Sequence, residues 1–258
     1  MFKSIGFIGG GRITRIILGG FERKKKWPGK VIVSDANADV LKDLKKRFPK
    51  IEAAGGDIKK PSNSDVVFLA LHPPAIMGIL GEMKSKLRRD AVVVSLAPKV
   101  AISQISAGLD GFFRIVRMIP NAPAVVNKGF NPLAFSAIFS KDEKKKLRTW
   151  FKVLGDCPEV AEEKLEAYAI LTAMGPTYFW FQLYELEELG KTFGMTPKEA
   201  KECLAKMMKG TLKTMTDSGL SPIEVMDLIP VKPLGEEEAN IRNIYRTKLQ
   251  GLYNKLKG

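Results

Sequence analysis

Histidine and cysteine are nearly missing from this chain, which has one histidine, His72, and two cysteines, Cys157 and Cys203. Two thiols so far apart in sequence suggest neither a disulfide framework nor a metal cluster, and no metal site is expected. Long apolar runs are missing as well. The longest, at 66–71, is far too short to span a bilayer. Ile5-Gly6-Phe7-Ile8 runs straight into glycines with no cleavage site of small residues, so neither a signal peptide nor a membrane partner is expected. Internal repeats and low-complexity stretches are lacking too. These absences together point to a reducing, cytoplasmic setting.

What is present is ordinary globular material, 45% hydrophobic and 27% charged over 258 residues. That is enough chain for one large domain or two smaller ones with a real core. A net charge of +14 raises the question of nucleic acid. The basic runs at 23–26, 42–47 and 144–148 punctuate helix ends and exposed helix faces, with no interleaved aromatics on which bases would stack. No nucleic-acid partner is expected, although a basic field would still attract an anionic dinucleotide.

The first half alternates short Val/Ile/Phe-rich runs with helical patterns. Strands are expected over 4–8, 31–34, 66–71, 91–96 and 113–118, nearly continuous in hydrophobicity as strands buried on both faces should be. Helices are expected over 12–21, 39–48 and 74–87. This alternation predicts a parallel sheet with right-handed crossovers, followed by a late strand at 133–139 and a helix at 142–154. After Glu162 nearly everything reads as helix. Thr196-Pro197-Lys198-Glu199 and Ser221-Pro222-Ile223-Glu224 are both helix starts with a capping residue, proline and a returning glutamate. The spans 178–193 and 198–218 carry apolar stripes that need burial against each other or a second subunit. A boundary is therefore expected between domains 1–161 and 162–258.

Gly9-Gly10-Gly11-Arg12-Ile13-Thr14 follows the first strand directly and opens a helix. Such a turn brings the backbone close to a pyrophosphate, whose charge meets the free N–H groups of the helix start. Asp35 ends the second strand, where an acidic side chain accepts hydrogen bonds from the adenosine ribose. A carboxylate there repels a 2′-phosphate and favours NAD, while Arg12, Ser34 and Asn37 are candidates to bind the phosphate of NADP. Thr14 stands at the third glycine position, which suggests looser packing of helix on strand.

These residues, with Ser64-Asp65-Val66-Val67-Phe68-Leu69-Ala70-Leu71-His72-Pro73, then Val92-Val93-Val94-Ser95-Leu96-Ala97, then Arg117-Met118-Ile119-Pro120-Asn121-Ala122-Pro123-Ala124, resemble the pyrroline-5-carboxylate reductase family in order and spacing over nearly the whole chain. The resemblance implies an α/β fold, with an N-terminal Rossmann-type domain followed by an all-α dimerisation domain. It implies a homodimer or a higher homo-oligomer of dimers. It also implies NAD(P)-dependent reduction of the C=N bond of a small cyclic imine, the proline precursor or a relative. Carried over by position, the cofactor contacts are Gly9, Gly10, Gly11, Arg12, Ile13, Ser34, Asp35, Ala70, Leu71, His72, Pro73, Ala97 and Asn121, to which the phosphate candidate Asn37 is added. Pro123 joins Asn121 at the nicotinamide end.

The departures fall where substrate should lie. The family's small, glycine-containing loop after Ala97 reads Pro98-Lys99, His72 replaces a lysine, and Tyr184 stands where the family tends to carry glutamate. Met174 brings a thioether to a turn of small residues shortly before Tyr178. The anion-binding Ser-Pro-Gly-Gly turn becomes Val231-Lys232-Pro233-Leu234-Gly235-Glu236-Glu237-Glu238. Three carboxylates there would repel a substrate carboxylate unless Lys232 compensates, and they also suit a helix N-terminus. Met174, Tyr178, Lys232 and Glu236 are the substrate-binding candidates, and no catalytic side chain is assigned. The altered turn also motivates a second reading, a reductase-like protein that keeps its dinucleotide but serves as a redox sensor or partner protein. His72 is expected to position rather than transfer a proton. Phe179, Trp180 and Phe181 are expected in a core or dimer interface, and Met207, Met208 and Met215 as core filler.

Overall fold

A computed structural model describes residues 2–257. By internal contacts the chain forms two compact units, one running to Met174 and regaining the segment from Tyr253, the other spanning Gly175–Leu252. This contact division falls later than the expected boundary at 161/162. Leu165, Ala169 and Ile170 lie beyond that boundary but are buried, and the first two pack with Ile119 and Ala134 of the first unit.

The first unit is built on strands β1 (Ser4–Ile8), β2 (Lys30–Ser34), β3 (Glu52–Ala53), β4 (Val66–Leu69), β5 (Val92–Ser95) and β6 (Ile115–Met118). Strands β7 (Gly129–Phe130), β8 (Leu133–Phe135) and β9 (Gly155–Asp156) follow. The main sheet has the order β3-β2-β1-β4-β5-β6-β8, parallel throughout except for β8, which runs antiparallel to β6. β7 and β9 form a separate pair. The order grows outward from β1 in both directions, so a crevice for ligands opens beside the carboxyl ends of β1 and β4. The late strand is shorter than its apolar pattern suggests, because Phe139 reaches the core from beyond the strand's end at Phe135.

Helices α1 (Arg12–Arg23), α2 (Ala38–Arg47), α3 (Lys59–Ser62), α4 (Pro73–Met83), α5 (Ile102–Gly108), α6 (Lys141–Phe151) and α7 (Leu165–Tyr168) belong to the same unit. Apolar side chains divide between the two sheet faces, as a doubly covered parallel sheet requires. Phe7 stacks on Phe68 at 4.6 Å on one face, with Phe21, Trp150 and Phe151 around them. Ile8, Val67, Leu69, Ile76 and Leu80 fill the other. Helix α1 lies close to the 122–126 segment, and a Cβ at Gly20 would come within 2.8 Å of the Ala124 carbonyl. Asn127 reinforces the approach by donating to the carbonyls of Gly20 and Val153 at 2.8 and 2.7 Å.

The second unit is helical, with α8 (Pro176–Thr192), α9 (Pro197–Asp217), α10 (Pro222–Asp227) and most of α11 (Glu238–Lys257). Both expected capping boxes form. Thr196 accepts from the Glu199 N–H at 3.2 Å while Glu199 accepts from the Thr196 N–H at 2.8 Å, and Ser221 and Glu224 do the same. α8 and α9 approach closely where Gly190 meets Ala200. Little else in this unit is buried. Phe179, Trp180, Phe181, Met207 and Met215 are all exposed in the single chain. The expectation of core filler therefore fails for Met207 and Met215, and the aromatic run is left with the interface role alone. Among the described residues no helix is long and apolar enough to cross a membrane.

Candidate functional site: a dinucleotide turn at the sheet edge

Chain geometry draws the candidate cofactor residues to one edge of the sheet. Gly9 to Gly11 follow β1, Ser34 and Asp35 end β2, Ala70 to Pro73 follow β4, Ala97 follows β5 and Asn121 follows β6. In a parallel sheet these are all carboxyl ends, so the residues gather side by side although they span more than a hundred positions.

The turn itself is held by hydrogen bonds. Gly9 has φ 104°, and a Cβ there would collide with the Ala70 carbonyl, so this position needs glycine on both counts. Its N–H donates to the Ser34 carbonyl at 2.8 Å. The Gly10 N–H donates to Asp35 Oδ2 at 2.7 Å, and Asp35 Oδ1 accepts from the Asn37 N–H at 2.8 Å. Asp35 is therefore oriented by the glycine turn. Gly11 caps α1 without a side chain, and a Cβ there would meet nothing within 4 Å. The mouth of the helix is thus open, and its first N–H groups lack a side-chain cap, which suits a phosphate anion.

Thr14 corrects the expectation of looser packing. It is fully buried, and its hydroxyl donates to the Gly9 carbonyl at 2.6 Å. The hydroxyl locks the turn where a glycine would merely allow close approach.

Other expected residues have different surroundings. Asn37 caps α2, its Oδ1 accepting from the N–H groups of Asp39 and Val40. The Ser34 side chain is buried, and its Oγ has no hydrogen-bond partner among the described residues. Arg12 is exposed at the start of α1. His72 precedes α4 with an exposed side chain, and its carbonyl accepts from the Ala75 and Ile76 N–H groups. Asn121 is buried and engaged at both ends, with Nδ2 donating to the Thr172 carbonyl and Oδ1 accepting from the Phe130 N–H. It braces the segment after β6.

The substrate candidates are divided between units. Met174, in the first, closes a wide turn by donating its N–H to the Ala169 carbonyl at 3.0 Å. In the second, Tyr178 packs edge-on against Tyr245, and burial followed by the neighbouring Tyr245 raises its phenol pKa. Lys232 and Glu236 lie in an exposed turn in which the Gly235 N–H donates to the Lys232 carbonyl.

Sequence reasoning passed over one cluster. Arg117 on β6 is 3% exposed and pairs with Glu166 at 2.6 Å and Glu162 at 3.1 Å. The available signal was the pair of glutamates four apart, which share one helix face just after the composition changes.

Residues 4–99 match the family model described as NADP oxidoreductase, coenzyme F420-dependent, and residues 162–256 match that of pyrroline-5-carboxylate reductase dimerisation. The pyrroline-5-carboxylate reductase of Escherichia coli K12 is 27% identical over 89% of this chain and 85% of its own. That of Corynebacterium melassecola is 24% identical over 97% of this chain and 93% of its own. The solved pyrroline-5-carboxylate reductase of Coxiella burnetii superimposes with TM-score 0.73 at 26% identity, covering 98% and 97% of the two chains. The Plasmodium falciparum pyrroline carboxylate reductase, solved with NADP bound, shares the fold with TM-score 0.77 at 17% identity over 99% and 97%.

Proposed function

The chain belongs to the pyrroline-5-carboxylate reductase family, and from that premise we propose that it reduces the C=N bond of a small cyclic imine of the pyrroline-5-carboxylate type, a step of proline biosynthesis, with NADH or NADPH. The observation that carries this reading is the open glycine turn between β1 and α1, which orients Asp35 and is locked by Thr14.

When bound, the dinucleotide supplies the hydride. The chain's own residues do the holding. The N–H groups from Gly11 to Ile13 receive the diphosphate, and Asp35 receives the ribose hydroxyls. Ala70 to Pro73 and Ala97 line the approach toward the nicotinamide, with Asn121 bracing its floor. Asp35 favours NAD over NADP, because its carboxylate would face a 2′-phosphate. Lys232 is the side chain best suited by charge to pair with a substrate carboxylate, and Met174, Tyr178 and Glu236 complete the substrate set. The functional boundary is placed at 161/162, supported by the dimerisation match beginning at 162. A homodimer or an oligomer of dimers belongs to the same reading, supported by that match. A cytoplasmic location belongs to the same reading, supported by the free thiols Cys157 and Cys203.

The test mixes purified protein with pyrroline-5-carboxylate and NADH or NADPH and follows the reduced cofactor's absorbance. Turnover is expected, with Gly9→Ala weakening dinucleotide binding about tenfold through strain at its positive φ, and Asp35→Ser moving preference toward NADPH. Flat absorbance across a panel of cyclic imines, with and without carboxylates, would refute the enzyme. Tight dinucleotide binding without turnover would favour a sensor or partner protein instead.

A further inference from the structure

The loop that follows β5 is fastened by side chains far away in sequence. Glu166 Oε1, which receives Arg117 Nη2, also accepts from the Lys99 N–H at 3.1 Å. Glu162 Oε1, which receives Arg117 Nη1, also accepts from the Ile102 N–H at 2.7 Å. A third amide of the loop, that of Ala101, donates to Gln104 at 2.8 Å. Lys99 sits at φ 73°, in the left-handed region that L side chains disfavour and glycine enters freely. This strained lysine comes just after Ala97 and Pro98, at the carboxyl end of β5 where ligands of such sheets bind.

We propose that Arg117 and Glu166 are positioning residues for the cofactor-binding edge. Arg117 holds the Glu166 carboxylate, and Glu166 holds Lys99 in its left-handed turn, so that Ala97 and Pro98 keep the shape a dinucleotide meets. The guanidinium is essential to this arrangement. Without it, two glutamates one helical turn apart repel each other and lose their fixed aim at the loop amides. A glycine at this position would need no such clamp, which is the reason the lysine and the ion cluster are read as one device. The proposal rests on the dinucleotide reading above.

The full-length protein tests it through calorimetric binding of NADH and NADPH together with hydrogen exchange at the Lys99 amide. Glu166→Gln is expected to bind dinucleotide about tenfold more weakly and to exchange the Lys99 amide faster. Lys99→Gly alone is expected to bind within about twofold of the parent, and Lys99→Gly in the Glu166→Gln background to return to within about twofold of it. Such rescue would not follow if Glu166 merely stabilised the fold. Unchanged affinity in Glu166→Gln overturns the proposal, and so does a double variant as weak as Glu166→Gln. Should Glu166→Gln fail to fold, Glu166→Asp keeps the charge and shortens the reach, and its smaller loss must likewise be rescued by Lys99→Gly. If the parent binds neither dinucleotide, the proposed function falls by itself. The clamp is then judged on exchange alone, where faster exchange in Glu166→Gln supports it and unchanged exchange overturns it.

Discussion

The two units handle their apolar residues in opposite ways. In the first, Phe7, Val67, Phe68 and Leu69 are all at 0% exposure, because a parallel sheet with helices on both faces has nowhere to show them to water. In the second, Phe181 is 67% exposed, Phe193 77% and Ile223 82%, while Ala200 is the one buried hydrophobic among the described residues. The three long helices of this unit leave much of each apolar stripe exposed in the single chain. The second unit therefore carries many exposed large apolar side chains, and such surface marks an interaction site. Its match to a dimerisation model identifies the partner as another copy. The lesson is that one chain holds a unit that completes its own core and another that leaves its apolar stripes on the surface.

The largest expected effect breaks that comparison directly. Phe181 lines a groove of about 420 Å³ between α8 and α11, with Ile244 and Tyr245 opposite. Phe181→Asp is expected to abolish self-association at micromolar concentration in light-scattering chromatography, since burying an unpaired carboxylate is prohibitive. A variant that remains dimeric would show that this face lies outside the interface. Next in size, Phe68→Ala removes a ring stacked on Phe7 and packed against Trp150 and Phe151. It should cost about 3–5 kcal/mol in denaturant unfolding, with a loss that does not vary with protein concentration. A concentration-dependent loss would contradict the self-sufficiency of the first unit.

The smallest effect concerns acid stability in the first unit. Backbone and side-chain hydrogen bonds with Ser140, then the Arg114 ion pair, lower the Glu143 carboxyl from its usual 4.5 to about 2. A depressed folded pKa contributes stability that is complete above the unfolded value and disappears as pH falls through the folded one. Glu143→Gln should therefore be modestly less stable than the parent at neutral pH, with the gap closing between about 4.5 and about 2. The group is partly exposed, so solvent screening keeps the effect small. A gap that stays constant down that range would show that the contribution does not depend on the carboxylate's charge.

Much of this was legible before any coordinates. Strands β1, β2, β4, β5 and β6 and helices α1, α2 and α4 follow from short Val/Ile/Phe runs alternating with helical periodicity, and their observed spans differ from expectation mainly at the ends, whereas the short β3, α3 and α5 were missed. The glycine turn was legible because strand, glycines, helix and Asp35 are close in sequence. Thr14 was misread because a glycine-based expectation treats any side chain as an obstruction, whereas a small buried hydroxyl can bond the carbonyl that it crowds. Met207 and Met215 were misread because a helical stripe shows which residues seek burial but does not reveal what covers them.

The sequence by itself determined the longer elements, the glycine turn at the helix mouth and the family resemblance, because periodicity, turn chemistry and motif spacing act over a few neighbouring residues. Only the tertiary structure decided which polar groups meet. Arg117 finds Glu166 across 49 positions, Asn121 reaches the Thr172 carbonyl across 51, and Lys99 takes a glycine-like conformation whose N–H meets Glu166 across 67. Such contacts are set when the sheet edge and the following helix come together, and no local pattern encodes them.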